Sequence, residues 1–428
     1  LFPFAAAFGA MEPKLIPQHR VGPEISAGIE KHIVERTRAD GGFYKLVDGS
    51  NALSLKLVRI HKEYLAQLGP GRHFACVDLV DTRGDVYDVD FFLSGEPGRM
   101  DVTQTLLHKL NGIPFYAWRQ KPGGGWERVA PEKADVELLG VKHGRDEFEF
   151  LYRVELPEST EPLRVWLPLA VSDPFQDVSI ISRTLPVEPT PLEGSFASNM
   201  LYLELLPGSA PRVVEIRYHV VRREKSAYVE PGDPARELIP DRRGPITPEF
   251  RKTARHLVAG KRDPLMQARA IYDHVIDRMR YMKFGDGWGQ GDAVRACNAR
   301  SGNCTDFHAY FIALARAAGI PARFAIGASI PSERDEGGID GYHCWAEFHA
   351  EGKWWPVDIS EADKYTGLAT YFFGHHPANR IELSRGRDLA VSPLPKSGPI
   401  NFLAYPVVEG AGLIPSAKVE FSFRRVKR

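Results

Sequence analysis

Apolar residues recur every three or four positions over residues 23–38, PEISAGIEKHIVERTR, where Ile25, Ile29, Ile33 and Val34 predict one side of a helix. The Asp-Gly-Gly that follows stops the pattern. Beyond it the period falls to two. ALSLKLVRIHKEYLAQL, RHFACVDLVD and DVYDVDFFLSG read as strands, the last two joined through Thr82-Arg83-Gly84 as a hairpin, and MDVTQTLLHKLNGIPFYAWRQ and GGGWERV add more. Residues 21–143 are therefore expected to form a small α+β domain, and no motif within them carries recognisable chemistry.

Over residues 144–232 alternation takes over, in DEFEFLYRVELP, LRVWLPLAV, DVSIISRTLPV, NMLYLELLP and RVVEIRYHVVRRE. Pro, Gly, Ser and Asp separate the runs at intervals that suit an antiparallel β-sandwich, expected to act as a support. The Pro-rich, charged stretch YVEPGDPARELIPDRRGPITPEF reads as a linker. Helices follow, because TPEFRKTARHLVAG and DPLMQARAIYDHVIDRMRYM each open with a capping residue and a Pro before the helical period sets in. The expected division is an arm over 1–20, the α+β domain over 21–143, the sandwich over 144–232 and a catalytic core with a strand-rich tail over 233–428.

A chain of 428 residues is long enough for several cores. Its 43% hydrophobic and 26% charged residues are those of a globular protein. Lys plus Arg equals Asp plus Glu, 55 against 55, with no long run of one sign, which weighs against a nucleic-acid partner. No apolar stretch of membrane-spanning length is present. The first residues, LFPFAAAFGA, pair a short apolar run with small residues, as the tail of a secretory signal does, so a periplasmic or extracellular location is expected over a cytoplasmic one.

Four cysteines, Cys76, Cys297, Cys304 and Cys344, do not make a disulfide framework. Cys304 stands out by position. Phe307, Tyr310, Phe311, Leu314, Ala315 and Ala318 fall on one helical face, Gly319 and Pro321 close the helix, and Asn303 is its natural N-cap with Asp306 three residues on. Cys304 thus occupies the first turn, where unpaired backbone N–H groups and the helix dipole favour a thiolate.

A base is found in GYHCWAEFHAEGKWWPVDISEAD, residues 341–363, where two alternating runs flank Glu351-Gly352. If 350 pairs with 353, then 343 faces 360, and Asp358 stands diagonally across from His343 on the same side of the hairpin. Cys304 as nucleophile, His343 as general base and acid, and Asp358 as the group orienting the imidazole then make a thiol triad.

The segments GNCTDFHAYFIALARAAGIPAR, GYHCWAEF and KWWPVDIS resemble the transglutaminase-like superfamily, papain-like thiol enzymes, over about residues 240–365. The resemblance puts the family nucleophile on Cys304, its imidazole on His343 and its carboxylate on Asp358. It also implies a papain-like α+β fold with a sandwich before the core. Cys344 departs from the family pattern, and strand alternation assigns it to the core, away from the imidazole. The oxyanion of acyl transfer needs a second donor beside the Cys304 N–H, for which Trp288 and Asn298 are the candidates. The Gly-rich, charged loop IPSERDEGGIDGYH is expected to be a mobile lid, and His375-His376 a solvated pair. Cys297, His308, His343 and Cys344 match no zinc-ligand spacing, so neither metal nor cofactor is expected. The function expected is amide-bond acyl transfer on peptides or proteins, hydrolytic in outcome, with transamidation, glycan-amide hydrolysis or a silent scaffold as alternatives.

Overall fold

The computed structural model describes residues 22–426 apart from 49–50, 63–64, 70, 97–98, 116, 121–125, 130–139, 194–198, 209–211, 284–285, 365–367 and 411–415. The arm expected over 1–20 lies outside the described residues. The chain divides into two compact units, Leu1–Ala134 and Asp135–Arg428.

In the first unit α1 (Gly22–Ala39) buries Ile25, Ile29 and Ile33. Val34 is exposed instead, since the isoleucines at spacing four already fill the stripe and position 34 is rotated off it. Strands β1 (Tyr44–Asp48), β2 (Asn51–Ile60), β3 (Ala66–Gly69), β4 (Arg72–Asp81), β5 (Val86–Glu96), β6 (Arg99–Leu110) and β7 (Ile113–Pro114) form an antiparallel sheet. Its order is β1-β2-β4-β5-β6-β7, with β3 also on β4, while β8 (Ala117–Gln120) and β9 (Trp126–Val129) make a separate hairpin. The β4–β5 turn forms where expected, fastened by the Asp81 carboxylate, which accepts the N–H groups of Arg83 and Asp85. Phe91 and Tyr44 pack edge-on to each other and against His32 of α1, so the odd-numbered residues of β5 face the helix.

In the second unit β10 (Arg145–Glu155), β11 (Leu163–Pro168), β12 (Gln176–Thr184), β13 (Thr190–Glu193), β14 (Asn199–Leu205) and β15 (Val213–Arg223) build a sandwich. Alternation sets its interior: Phe148, Phe150, Tyr152 and Val154 of β10 meet Leu163, Val165 and Leu167 of β11 and Leu201, Leu203 and Leu205 of β14.

The linker carries a short 3₁₀ turn (Pro234–Leu238), and the helices after it start where their caps predict. Thr247 accepts from Phe250 N–H ahead of α2 (Pro248–Val258), and Asp263 from Leu265 N–H ahead of α3 (Pro264–Arg278). β16 (Arg280–Tyr281), α4 (Ala293–Ala299) and β17 (Ser301–Gly302) lead into α5 (Cys304–Ala317). α5 is buried from 304 to 316 on every side, because the sheet covers one flank and α2, α3 and α4 the others. That sheet contains β18 (Ala322–Ser329), β20 (His343–Ala350), β21 (Lys353–Val357) and β22 (Arg380–Arg385) in the order β21-β20-β18-β22, and α6 (Ile359–Lys364) follows β21.

The segment expected as a lid is instead tied down, for β19 (Glu336–Ile339) pairs with β24 (Lys418–Arg425). β24 lies between β10 and β19, and β23 (Val407–Glu409) pairs with β11. The C-terminal strands thus complete both sheets of the sandwich, their alternation placing Phe421 and Phe423 opposite Tyr152 and Phe150.

A buried ionic cluster fastens the linker to the core sheet. Lys225 donates to Glu347 at 2.8 Å with both side chains fully buried, and Glu347 also accepts from Arg323 and Tyr228. No helix among the described residues is long and apolar enough to cross a membrane.

Candidate active site

Three elements meet at the N-terminus of α5. The β20–β21 hairpin turns through Glu351 and Gly352, both at positive φ, and pairs Ala350 with Lys353 and Ala346 with Val357. This register sets His343 diagonally across from Asp358, the residue between β21 and α6. His343 Nε2 lies 2.6 Å from Asp358 Oδ2. The other carboxylate oxygen, Oδ1, accepts from Ser360 Oγ and Glu361 N–H, so Asp358 also caps the first turn of α6.

The side chains around Asp358 fix its charge. His376 Nε2 at 3.9 Å and Arg380 Nη2 at 3.8 Å face Oδ2, while His308 Nε2 stands 3.9 Å from Oδ1. Burial alone would raise the carboxyl pKa, but the charge and hydrogen bond of His343 and the charge of Arg380 hold it well below the ordinary range. The same pairing works on His343: burial lowers its pKa, and the Asp358 charge and hydrogen bond outweigh burial and lift it to about 9.

Cys304 stands on the first turn of α5. Asn303 accepts from Thr305 N–H through Oδ1, and Asp306 accepts from Asn303 N–H through Oδ2, a reciprocal cap on the helix start. Cys304 is only 2% exposed, yet it lines a cleft of about 1100 Å³ together with His343, Trp288, Tyr342 and Asn303. Burial pushes the thiol up, whereas hydrogen bonds from Cys344 and His343 and the charge of His343 bring it well below its ordinary pKa. The opposite shifts of Cys304 and His343 favour a thiolate beside an imidazolium.

Cys344 lies in the core as expected, yet it is not remote from the site. It is fully buried, but the side of β20 that it occupies faces the start of α5. Its sulfur reaches Thr305 Oγ1 at 3.6 Å and hydrogen-bonds with Cys304. Parity says which side of the strand a residue takes, not which helix end waits there. His375 and His376 are buried rather than solvated. The His376 ring packs at a tilt against Trp345, centroids 4.2 Å apart, and burial keeps it neutral.

Trp288 and Asn298 part company. Trp288 lines the cleft, whereas Asn298 is exposed on α4, whose buried positions are Ala293 and Ala296. Asp306 holds the Trp288 loop in place, its carboxylate accepting from Gly289 and Gly291 N–H at 2.7 and 3.1 Å. Gly302 makes this possible, since a Cβ there would lie 2.4 Å from the Asp306 side chain.

His308 has a fixed tautomer. Ile359 N–H donates to Nε2, so Nδ1 carries the proton and donates to the Cys304 carbonyl at 2.7 Å. This imidazole bolts the start of α6, beside Asp358, to the helix that carries Cys304. Asp306 is legible in the sequence as the partner of the Asn303 cap, but its hold on the Trp288 loop and the positioning roles of His308, Tyr342 and His376 have no signal there beyond the residue types. Tyr342 accepts at its hydroxyl oxygen from both Asn303 Nδ2 and Thr305 Oγ1, bracing the cap from the far wall.

Residues 251–359 match the family model of the transglutaminase-like superfamily core. An uncharacterized protein of Haemophilus influenzae is 33% identical over a region covering 35% of this chain and 50% of that protein, so the chain spans about half the length of the curated relative it matches. Among solved structures, a candidate cysteine protease from Cytophaga hutchinsonii is 18% identical with a TM-score of 0.45, covering 66% of this chain and 92% of its own. The periplasmic domain of TgpA from Pseudomonas aeruginosa, bound to ethylmercury, is 17% identical with a TM-score of 0.29, covering 54% of this chain and 94% of its own.

Proposed function

With residues 251–359 belonging to the transglutaminase-like superfamily, we propose that the protein is a thiol-dependent acyl-transfer enzyme acting on amide bonds of peptides or proteins. The observation that carries the reading is the 2.6 Å contact of His343 with Asp358 beside a cleft-lining Cys304 at the N-terminus of α5.

The Cys304 thiolate attacks the amide carbonyl carbon, and the electron pair of the C=O moves to oxygen. The Cys304 backbone N–H and the Trp288 indole N–H are the donors assigned to that oxyanion. With Nε2 committed to Asp358, the proton on Nδ1 of His343 goes to the departing amine as the C–N bond breaks, leaving a thioester on Cys304. His343, now neutral, takes a proton from water as it attacks the thioester. Collapse then releases the acid and restores the ion pair.

Hydrolysis is favoured over transfer to a lysine amine because the cleft has a polar lining, with Lys283, Ser332, Glu333, Asp340 and Glu361 around it, and stays accessible to water. A periplasmic or extracellular location belongs to the same proposal, and cell fractionation tests it.

The test is a peptide-library digest with and without an added primary amine, read by mass spectrometry. Cleaved products dependent on Cys304 are expected. Amine-coupled products without cleavage would assign a transamidase, released glycan with intact peptide a glycan-amide hydrolase, and no turnover with an unreactive Cys304 a scaffold.

A further inference from the structure

The first unit holds a second concentration of chemistry, unrelated to the cleft. In the β4–β5 hairpin Cys76 pairs with Asp90 and Asp78 with Asp88. All four have the same parity and share one face, the one opposite the α1-facing side of β5. His61, just past β2, joins them through its N–H to the Cys76 carbonyl and its Nε2 to Asp78 Oδ1 at 2.9 Å. On β6 the pairing slips between Asp88 and Val89, bringing His108 and Lys109 alongside, with His108 Nδ1 3.6 Å from Asp90 and Lys109 Nζ 3.1 Å from Asp88.

This group is buried. Asp78 and Asp90 are fully shielded, Asp88 is 3% exposed and Cys76 5%. Three carboxylates against one ammonium leave a formal charge of −2 when the imidazoles are neutral, a costly load for a sheet interior. Asp88 Oδ2 is held by Lys109, but its Oδ1 is buried with no hydrogen-bond partner.

The ligand atoms of His61, Cys76 and Asp88 lie within 4.8 Å of one another, as do those of Cys76, Asp90 and His108. We infer that this face is a divalent metal site of the zinc class, with His61, Cys76 and Asp88 as ligands. A thiolate and an imidazole select zinc-like ions over calcium or magnesium, and a charge of +2 offsets most of the buried negative charge once Cys76 ionises. The first trio is the seat, because all its members are buried and Asp88 brings the unbonded oxygen. Asp78 on the His61 ring is the kind of carboxylate partner that orients a metal-ligating imidazole. The set was illegible in sequence because the ligands come from separate strands and lack the short spacing of a zinc knuckle.

The test uses the full chain, stripped with chelator and titrated with Co²⁺. One equivalent is expected, with a thiolate-to-cobalt charge-transfer band that survives Cys304→Ala and disappears in Cys76→Ser. His61→Ala and Asp88→Asn should each weaken binding by about tenfold or more, with His108→Ala little changed. Wild-type protein that binds no cobalt, or binds it without the thiolate band, overturns the site. Loss of binding in His108→Ala with His61→Ala unaffected overturns the ligand assignment. The wild-type spectrum decides the first question even if a variant fails to fold.

Discussion

Replacing Asp358 with Asn removes one charge and keeps the shape. The amide oxygen can still accept from Ser360 and Glu361, so the α6 cap survives, while the Coulomb and hydrogen-bond support of His343 is lost. His343 stands at about 9 against an ordinary 6.5, a difference worth on the order of 3 kcal/mol between its protonation states. At pH 7 the imidazole is then roughly 99% protonated in the wild type and roughly 24% at its ordinary pKa, before burial lowers it further. Less imidazolium means less thiolate. We expect the pH midpoint for alkylation of Cys304 by iodoacetamide, followed by peptide mass spectrometry, to rise by about one unit or more in Asp358→Asn. Turnover should fall about a thousandfold or more. The sign is fixed: a raised His343 pKa keeps the imidazolium below about 9 and loses it above, so wild-type activity declines as pH climbs through about 9. An unchanged alkylation midpoint in a variant that melts like wild type would refute the reasoning.

Cys344→Ala removes a hydrogen bond to the Cys304 sulfur and should slow its alkylation at pH 6 by about tenfold, an effect that Cys344→Ser reverses at least in part. Trp288→Phe keeps the aromatic surface and deletes the indole N–H; kcat should drop about a hundredfold with KM nearly unchanged, and an unaltered kcat would remove Trp288 from the oxyanion role. Gly302→Ala drives a methyl into the Asp306 carboxylate, so both turnover and the melting temperature should fall, whereas normal values of both would show that the loop clasp is dispensable. Lys225→Met strips Glu347 of a fully buried partner and should cost about 3 kcal/mol in denaturant unfolding, reduced from the larger end of the range because Arg323 and Tyr228 stay.

Local chemistry was readable in the sequence. The Asn303 cap, the hairpin register around Glu351-Gly352 and the helix starts at Pro248 and Pro264 follow from neighbours a few residues apart, and the structure has them. What joined distant segments was not readable. The pairing of β19 with β24 across some eighty residues turned an expected lid into an edge strand, and the contact of Cys344 with the start of α5 depends on how helix and sheet pack. Burial of His375 and His376 had no local signal either, because it comes from Trp345, Tyr371 and the isolated bridge that His376 makes with Lys225. The metal-like face of the first unit belongs to the same class of property: it exists only once β4, β5, β6 and the end of β2 lie side by side.

The ultraviolet absorbance of thiolate in wild-type protein, less that of Cys304→Ala, followed from acid to alkaline pH, tests the central claim most directly. One thiolate should already be present at pH 6 and vanish only in more acid solution. A difference signal that emerges only near the pKa of an ordinary thiol would contradict the account.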